Sequence, residues 1–188
     1  MKIGIIGEDP YDTIAIKNLL SRRYPYRFKP ILRHIKGDQL NSAKTKRLLK
    51  IELKDAAYAV VIFTRDLDGL ETETQKIQDI TKWFEDLDFT NTGILLLHIY
   101  ELEALILADI STFNRLFDTR LNFTGNPMYQ KEPKEYLKER TRKCRRKFDV
   151  SENPVIFKYL RIEELIRNCL YFKDFIKAFD DRISSSIG

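Results

Sequence analysis

Three unbroken apolar runs and one partly alternating run set the rhythm of the first hundred residues. Lys-Ile-Gly-Ile-Ile-Gly at 2–7, the run through Val60-Val61-Ile62-Phe63-Thr64 within 57–64, and Gly-Ile-Leu-Leu-Leu-His-Ile-Tyr at 93–100 predict strands buried on both faces, as in a parallel sheet. The stretch from Tyr26 to Ile35 alternates in part: Phe28, Pro30 and Leu32 against Ile31, Arg33 and Ile35. It predicts an outer strand, because Pro30 cannot donate to a central ladder.

Between the runs the apolar spacing turns helical. Asp9 is placed to cap a helix, with Pro10 at its first position and Asp12 in its first turn; Ile14, Ile16, Leu19 and Leu20 follow at helical intervals. Residues 39–54 predict a basic amphipathic helix with Leu40, Leu48, Leu49, Ile51 and Leu53. Residues 71–87 predict another, with Ile77, Ile80, Trp83, Phe84 and Leu87, and 101–109 a short one. Alternating strands and helices imply right-handed crossovers. The expected fold is therefore α/β: a central parallel sheet of about four strands with helices on both faces. Beyond residue 110 the rhythm changes. Residues 111–131 hold Gly125, Pro127 and several Asn and predict loop. Residues 134–147 predict a basic helix, and 161–183 one or two packed helices, before a frayed Ser184-Ser185-Ser186. This divides the chain into a first unit, 1–110, and a helical C-terminal extension, 111–188, packed on it.

Composition narrows the class. At 188 residues and 43% hydrophobic, the chain suffices for one domain with a real core. A net charge of +5 suits a nucleic-acid partner without requiring one. Cys144 and Cys169 lack metal-ligand spacing, so a reducing cytoplasm is the default. The apolar stretches are too short for a signal h-region or a membrane span; the expectation is a soluble cytoplasmic protein.

Acidic residues stand just after three of the predicted strands: Glu8, then Asp66 and Asp68, then Glu101 and Glu103. In a parallel sheet these strand ends share one edge, where ligands bind. Carboxylates crowded there repel one another unless a cation lies between them, and Mg2+ or Mn2+ takes oxygen ligands. Asp-Leu-Asp-Gly at 66–69 also reads as a polar turn, so both readings stand. The chain has two histidines, His34 and His98. His98 lies inside an apolar run and reads first as a core histidine, second as a ligand or base.

With a strand followed by Glu8 and a strand followed by Asp66-Leu67-Asp68-Gly69, the chain resembles the TOPRIM superfamily, the catalytic domain of topoisomerases, DnaG-type primases and OLD-family nucleases. Glu101-Leu102-Glu103-Ala104-Leu105-Ile106-Leu107-Ala108-Asp109 resembles a stretch of small standalone TOPRIM-like proteins often encoded beside ABC-, SMC- or OLD-type ATPases in anti-phage loci. The likeness spans 1–110 and extends to Asn126-Pro127, Pro133-Lys134 and the aromatic helix at 171–179. It departs at Glu8-Asp9-Pro10-Tyr11-Asp12, where the family's Glu-Gly-x-Thr-Glu loses its glycine and threonine, and at Leu105, where the family has tryptophan. The resemblance implies a TOPRIM fold and a divalent-metal-dependent nuclease. Its catalytic residues would be Glu8, Asp66, Asp68 and Glu103, its metal ligands these with Asp12 and Glu101, and its cofactor Mg2+ or Mn2+. It further implies an antiviral role, with an ATPase or a second copy of the chain as partner.

The run Arg140, Arg142, Lys143, Arg145, Arg146, Lys147 is the candidate nucleic-acid contact, with Tyr129, Tyr136 and Phe148 as candidate stacking residues; a solvated helix face is the competing reading. Two other functions fit part of the pattern. One is a non-catalytic module that regulates an ATPase. The other is a phosphorylated receiver, which additionally requires a hydroxyl after the fourth strand and a lysine after a fifth.

Overall fold

A computed structural model of the chain describes residues 1–31, 39, 42–87 and 92–187. The expectations for Leu32, Arg33, His34, Ile35, Leu40 and the Phe84 side chain lie outside the described residues. Four strands, β1 (Lys2–Ile6), β2 (Arg27–Pro30), β3 (Val60–Asp66) and β4 (Gly93–His98), form one sheet in the order β2-β1-β3-β4, and every pairing is parallel. The strand carrying Pro30 is an edge strand, as its missing N–H demands. Among the described residues there is no fifth strand of the kind a receiver requires.

The strands are buried on both faces by two separate cores. Helices α2 (Ala43–Ala56) and α3 (Glu73–Asp86) cover one face, where Leu49, Leu53, Ile80 and Trp83 pack on Ile6, Val61 and Phe63. Helix α1 (Pro10–Leu20) covers the other, with Ile16 and Leu19 against Ile3, Ile5 and Ile62. It begins as its sequence dictates: the Asp9 carboxylate accepts from the Tyr11 N–H at 2.6 Å, and Pro10 occupies the first turn.

The remaining helices join the α1 face: α4 (Ala104–Ala108), α5 (Ile110–Phe117), α6 (Pro133–Thr141), α7 (Asn153–Ile156), α8 (Ile162–Asn168) and α9 (Leu170–Ile187). Their side chains, among them Phe113, Phe157, Phe172 and Phe179, belong to the same continuous core as β1 and α1. Polar contacts sew the two segments together. The Asn18 amide donates to the Pro154 carbonyl at 2.7 Å, Arg22 to the Leu160 carbonyl at 2.5 Å and the Tyr24 hydroxyl to Asp180 at 2.7 Å.

Three sequence expectations are corrected here. Residues 111–117 of the predicted loop, with Ile110 before them, form α5. Asp109 accepts from the Thr112 N–H, and Phe113 and Phe117 stack one turn apart with centroids 4.3 Å apart; burial of these rings outweighs the weak local propensity. The basic helix ends at Thr141 rather than Lys147. The Thr141 hydroxyl donates to the Leu137 carbonyl and accepts from the Phe148 N–H, both at 2.9 Å, which folds the chain back so that Phe148 packs on Phe113 and Phe117. The three serines near the C-terminus are helical, their hydroxyls donating to carbonyls four residues earlier. Among the described residues, no helix is long and apolar enough to cross a membrane.

Candidate metal centre

Close packing fixes the first strand end. A Cβ on Gly7 would lie 2.7 Å from Thr64 Cγ2 and 2.9 Å from Thr13 Cγ2, so the chain leaving β1 passes between β3 and α1 only because residue 7 has no side chain. That passage sets Glu8 beside β3 and starts α1 at once, which places Asp12 on its first turn. In the adjacent ladder Asp66, the last residue of β3, pairs in register with His98, the last of β4. The chain leaving β4 carries Glu101 and Glu103 into α4.

Glu8, Asp9, Asp12, Asp66, Glu101 and Glu103 line a single cavity of about 230 Å³, closed by Lys134 and Val150. Five of the acids singled out from sequence therefore meet at one edge of the sheet. Three have partners. Glu8 is ion-paired to Arg65 (Oε1 to Nε, 2.8 Å). Glu101 accepts from Lys134 twice, from Nζ at 2.9 Å and from the backbone N–H at 3.0 Å. Glu103, 5% exposed, accepts from the Asn153 amide at 2.9 Å.

Asp12 and Asp66 fare differently. Burial, then the charges of Asp66, Glu103, Asp9 and Glu8, raises Asp12 well above the usual carboxylate range. Burial, then Glu103, Glu8 and Glu101, raises Asp66 in the same way, opposed by Lys134. Burial also raises Glu103, opposed by the Asn153 bond. Beneath this floor His98 is fully buried, with Nδ1 3.4 Å from Asp66 Oδ1. Burial pushes it down to about 4, so the ring is neutral at physiological pH.

The donor set suits a hard divalent cation: it is all oxygen, and two of its members are held in a state that a positive charge would relieve. Among the described residues, no three acids, histidines or cysteines already form a closed cage, so the carboxylates line the cavity without converging on one point.

Asp68 is not brought into this cavity. It adopts a left-handed backbone (φ 57°) next to Gly69 (φ 125°), its side chain is 69% exposed, and it ion-pairs with Lys76. The N–H groups of Leu67 and Gly69 bond to the His98 and Ile99 carbonyls, at 2.8 and 2.7 Å, which swings the intervening residue outward. Within the Asp-Leu-Asp-Gly stretch, then, the first acid lines the cleft and the second belongs to the turn. Asp109 is likewise elsewhere, buried and bound to Arg161 through its Oδ1 (2.6 Å) and Oδ2.

The basic run divides too. Arg146 pairs with Glu152 and lies over the Phe117 ring at 4.6 Å. Arg140 lies over Tyr136 at 5.1 Å, and Arg142 pairs with Glu139 at 3.7 Å. Lys143, Arg145 and Lys147 are exposed on the turn after α6. Of the aromatics, Phe148 is buried, Tyr136 packs edge-on to Phe123, and Tyr129 is exposed.

Sequence reasoning missed three contributors: Arg65, Lys134 and Asn153. Lys134 belongs to a stretch noted for its resemblance, and Arg65 adjoins Asp66. Asn153 offers no local signal, since its importance arises from a contact across 50 residues.

A family model described as "Domain of unknown function (DUF4276)" matches residues 8–180, from the first cleft acid to within α9. No curated protein and no solved structure matches the chain. The chain belongs to the DUF4276 family.

Proposed function

We propose that the cleft binds Mg2+ or Mn2+ and that the protein is a nuclease, hydrolysing phosphodiester bonds of DNA or RNA. The observation that carries this reading is the pair Asp12 and Asp66, both raised by burial and acidic neighbours and both lining one cavity with Glu8, Glu101 and Glu103. Asp12, Asp66 and Glu103 would hold the ion, with Glu8 and Glu101 beside it. Bound there, a divalent ion supplies Lewis-acid polarisation of a phosphoryl oxygen and a water of lowered pKa. Arg65 and Lys134 offset part of the acidic charge and present cations to a phosphate. In this reading Asp68 acts through the turn that fixes Asp66. Lys143, Arg145 and Lys147 offer phosphate contacts outside the cleft.

The resemblance to TOPRIM proteins extends the proposal to a cytoplasmic effector of anti-phage defence, working with an ABC-, SMC- or OLD-type ATPase. The test is cleavage of labelled DNA and RNA by the purified protein with Mg2+ or Mn2+. Glu8→Ala and Asp66→Ala should each abolish cutting, and undiminished activity in both would overturn the assignment. A second reading, a non-catalytic module that regulates the ATPase, is favoured by the ion pairs already neutralising Glu8 and Glu101. Co-purification with an ATPase, together with no heat of Mn2+ binding, would select it.

A further inference from the structure

The two edges of the sheet are built differently. At one edge β2 carries Arg27, Lys29 and Pro30, the charges and the missing donor that keep a further strand from adding. At the other, β4 reads Gly-Ile-Leu-Leu-Leu-His, with no lysine, arginine, carboxylate or proline. Its inner side is fixed by its bonds to β3 and the residue after it: the Thr92 carbonyl accepts from the Val61 N–H and the His98 carbonyl from the Leu67 N–H, both at 2.8 Å. Backbone groups alternate sides along a strand, so those of Gly93, Leu95 and Leu97 point outward. Among the described residues no backbone group pairs with them. These three residues floor an apolar groove of about 470 Å³, walled by Thr81 of α3 and by Phe175 and Ala178 of α9. Leu95 and Leu97 are half-buried, and Thr81 and Ala178 are exposed.

Such a floor accepts a strand, because extended backbone meets a row of alternating N–H and C=O groups at their own spacing. The edge is also complementary to itself. Turned about a twofold axis at Leu95, a second β4 sets Leu95 opposite Leu95 and Gly93 opposite Leu97, each pair exchanging both of its hydrogen bonds. Leu95 and Leu97 pack on the core beneath α2 and α3, and Gly93 shares their face. The position without a side chain therefore meets the bulky one at each end. The short side chains of Thr81 and Ala178 let the flanking helices of two copies draw close. That symmetry selects a second copy over a strand of another protein. We infer that two copies of the chain join antiparallel along β4, making one sheet that runs through both. The pairing is independent of what the cleft binds.

The test uses the full-length, metal-free protein. Sedimentation equilibrium at tens of micromolar should give twice the 22.3 kDa chain mass. Ala178→Arg, at an exposed position of the groove wall, should give the monomer mass with an unchanged circular-dichroism spectrum. Cys144 is partly exposed and Cys169 buried, so cross-linking is read in a Cys144→Ser background. There Leu95→Cys should form an intermolecular disulfide with oxidised glutathione, since the Cα atoms of such a pair lie about 5.5 Å apart. Leu97→Cys, which faces Gly93, should not. A wild-type chain that stays monomeric overturns the inference and leaves the groove to a strand of another protein. A dimer that survives Ala178→Arg, or that cross-links through Leu97→Cys in place of Leu95→Cys, overturns it as well, because the copies then join elsewhere or in another register.

Discussion

Asn153→Ala is the substitution that most directly probes how the cleft is built. Asn153 is fully buried and Glu103 nearly so, and the amide is the side-chain donor that meets the glutamate, at 2.9 Å. Removing it strips a buried carboxylate of a charge-assisted hydrogen bond, a loss of about 1.5–3 kcal/mol. At roughly 2–4 °C per kcal/mol for a chain of this size, the melting temperature should fall by about 3–12 °C near neutral pH. The pH dependence gives a sharper signature. Burial raises Glu103 above the ordinary glutamate value, and Asn153 opposes that rise. A carboxyl raised in the folded state imposes its cost above the folded pKa and none below the unfolded one. Loss of Asn153 raises Glu103 further and therefore deepens the cost at neutral pH, while in acid below the usual carboxylate range Glu103 is neutral in both states. Circular-dichroism melts across that range should show the defect growing as pH rises. A defect of the same size in acid and at neutrality would refute the reasoning, because lost packing alone behaves that way.

Three further outcomes follow from the same geometry. Gly7→Ala forces a Cβ against the Thr13 and Thr64 methyls and should cost about 1–3 kcal/mol in a denaturant titration, with Mn2+ affinity reduced because Glu8 shifts. Asp66→Asn should raise the melting temperature in metal-free buffer at neutral pH, since it removes a carboxylate that the fold disfavours. The gain should vanish in acid below the unfolded carboxylate pKa, where wild-type Asp66 is also neutral. Lys143→Glu with Lys147→Glu should weaken nucleic-acid binding and flatten its salt dependence at unchanged stability, whereas Arg146→Ala should lower the melting temperature through loss of its Glu152 and Phe117 contacts.

The sheet and the placement of most acids were legible because they rest on local patterns. Unbroken apolar runs ended within two residues of the ends of β1, β3 and β4, and Asp9-Pro10 marked the start of α1. A parallel sheet then obliges Glu8, Asp66 and Glu101 to share an edge. What was not legible depends on distant partners. Helix α5 is held by aromatic stacking that no Asn- or Gly-rich loop signal reveals. Asp68 shares a motif with Asp66, yet the hydrogen bonds of Leu67 and Gly69 to the β4 strand end turn it away. Lys134 and Asn153 enter the cleft from 33 and 50 residues beyond the acids they serve.

The stitching of Asn18, Arg22 and Tyr24 to the last 35 residues, over one uninterrupted core, sets a boundary on dissection. A fragment ending near residue 110 would keep the acids of the cleft yet lose the aromatic lid over α1, leaving Ile16 and Leu19 facing water and Glu103 without its amide. The chain should accordingly melt in a single cooperative step, and shortening it from the far end should dismantle the chemistry at the near end.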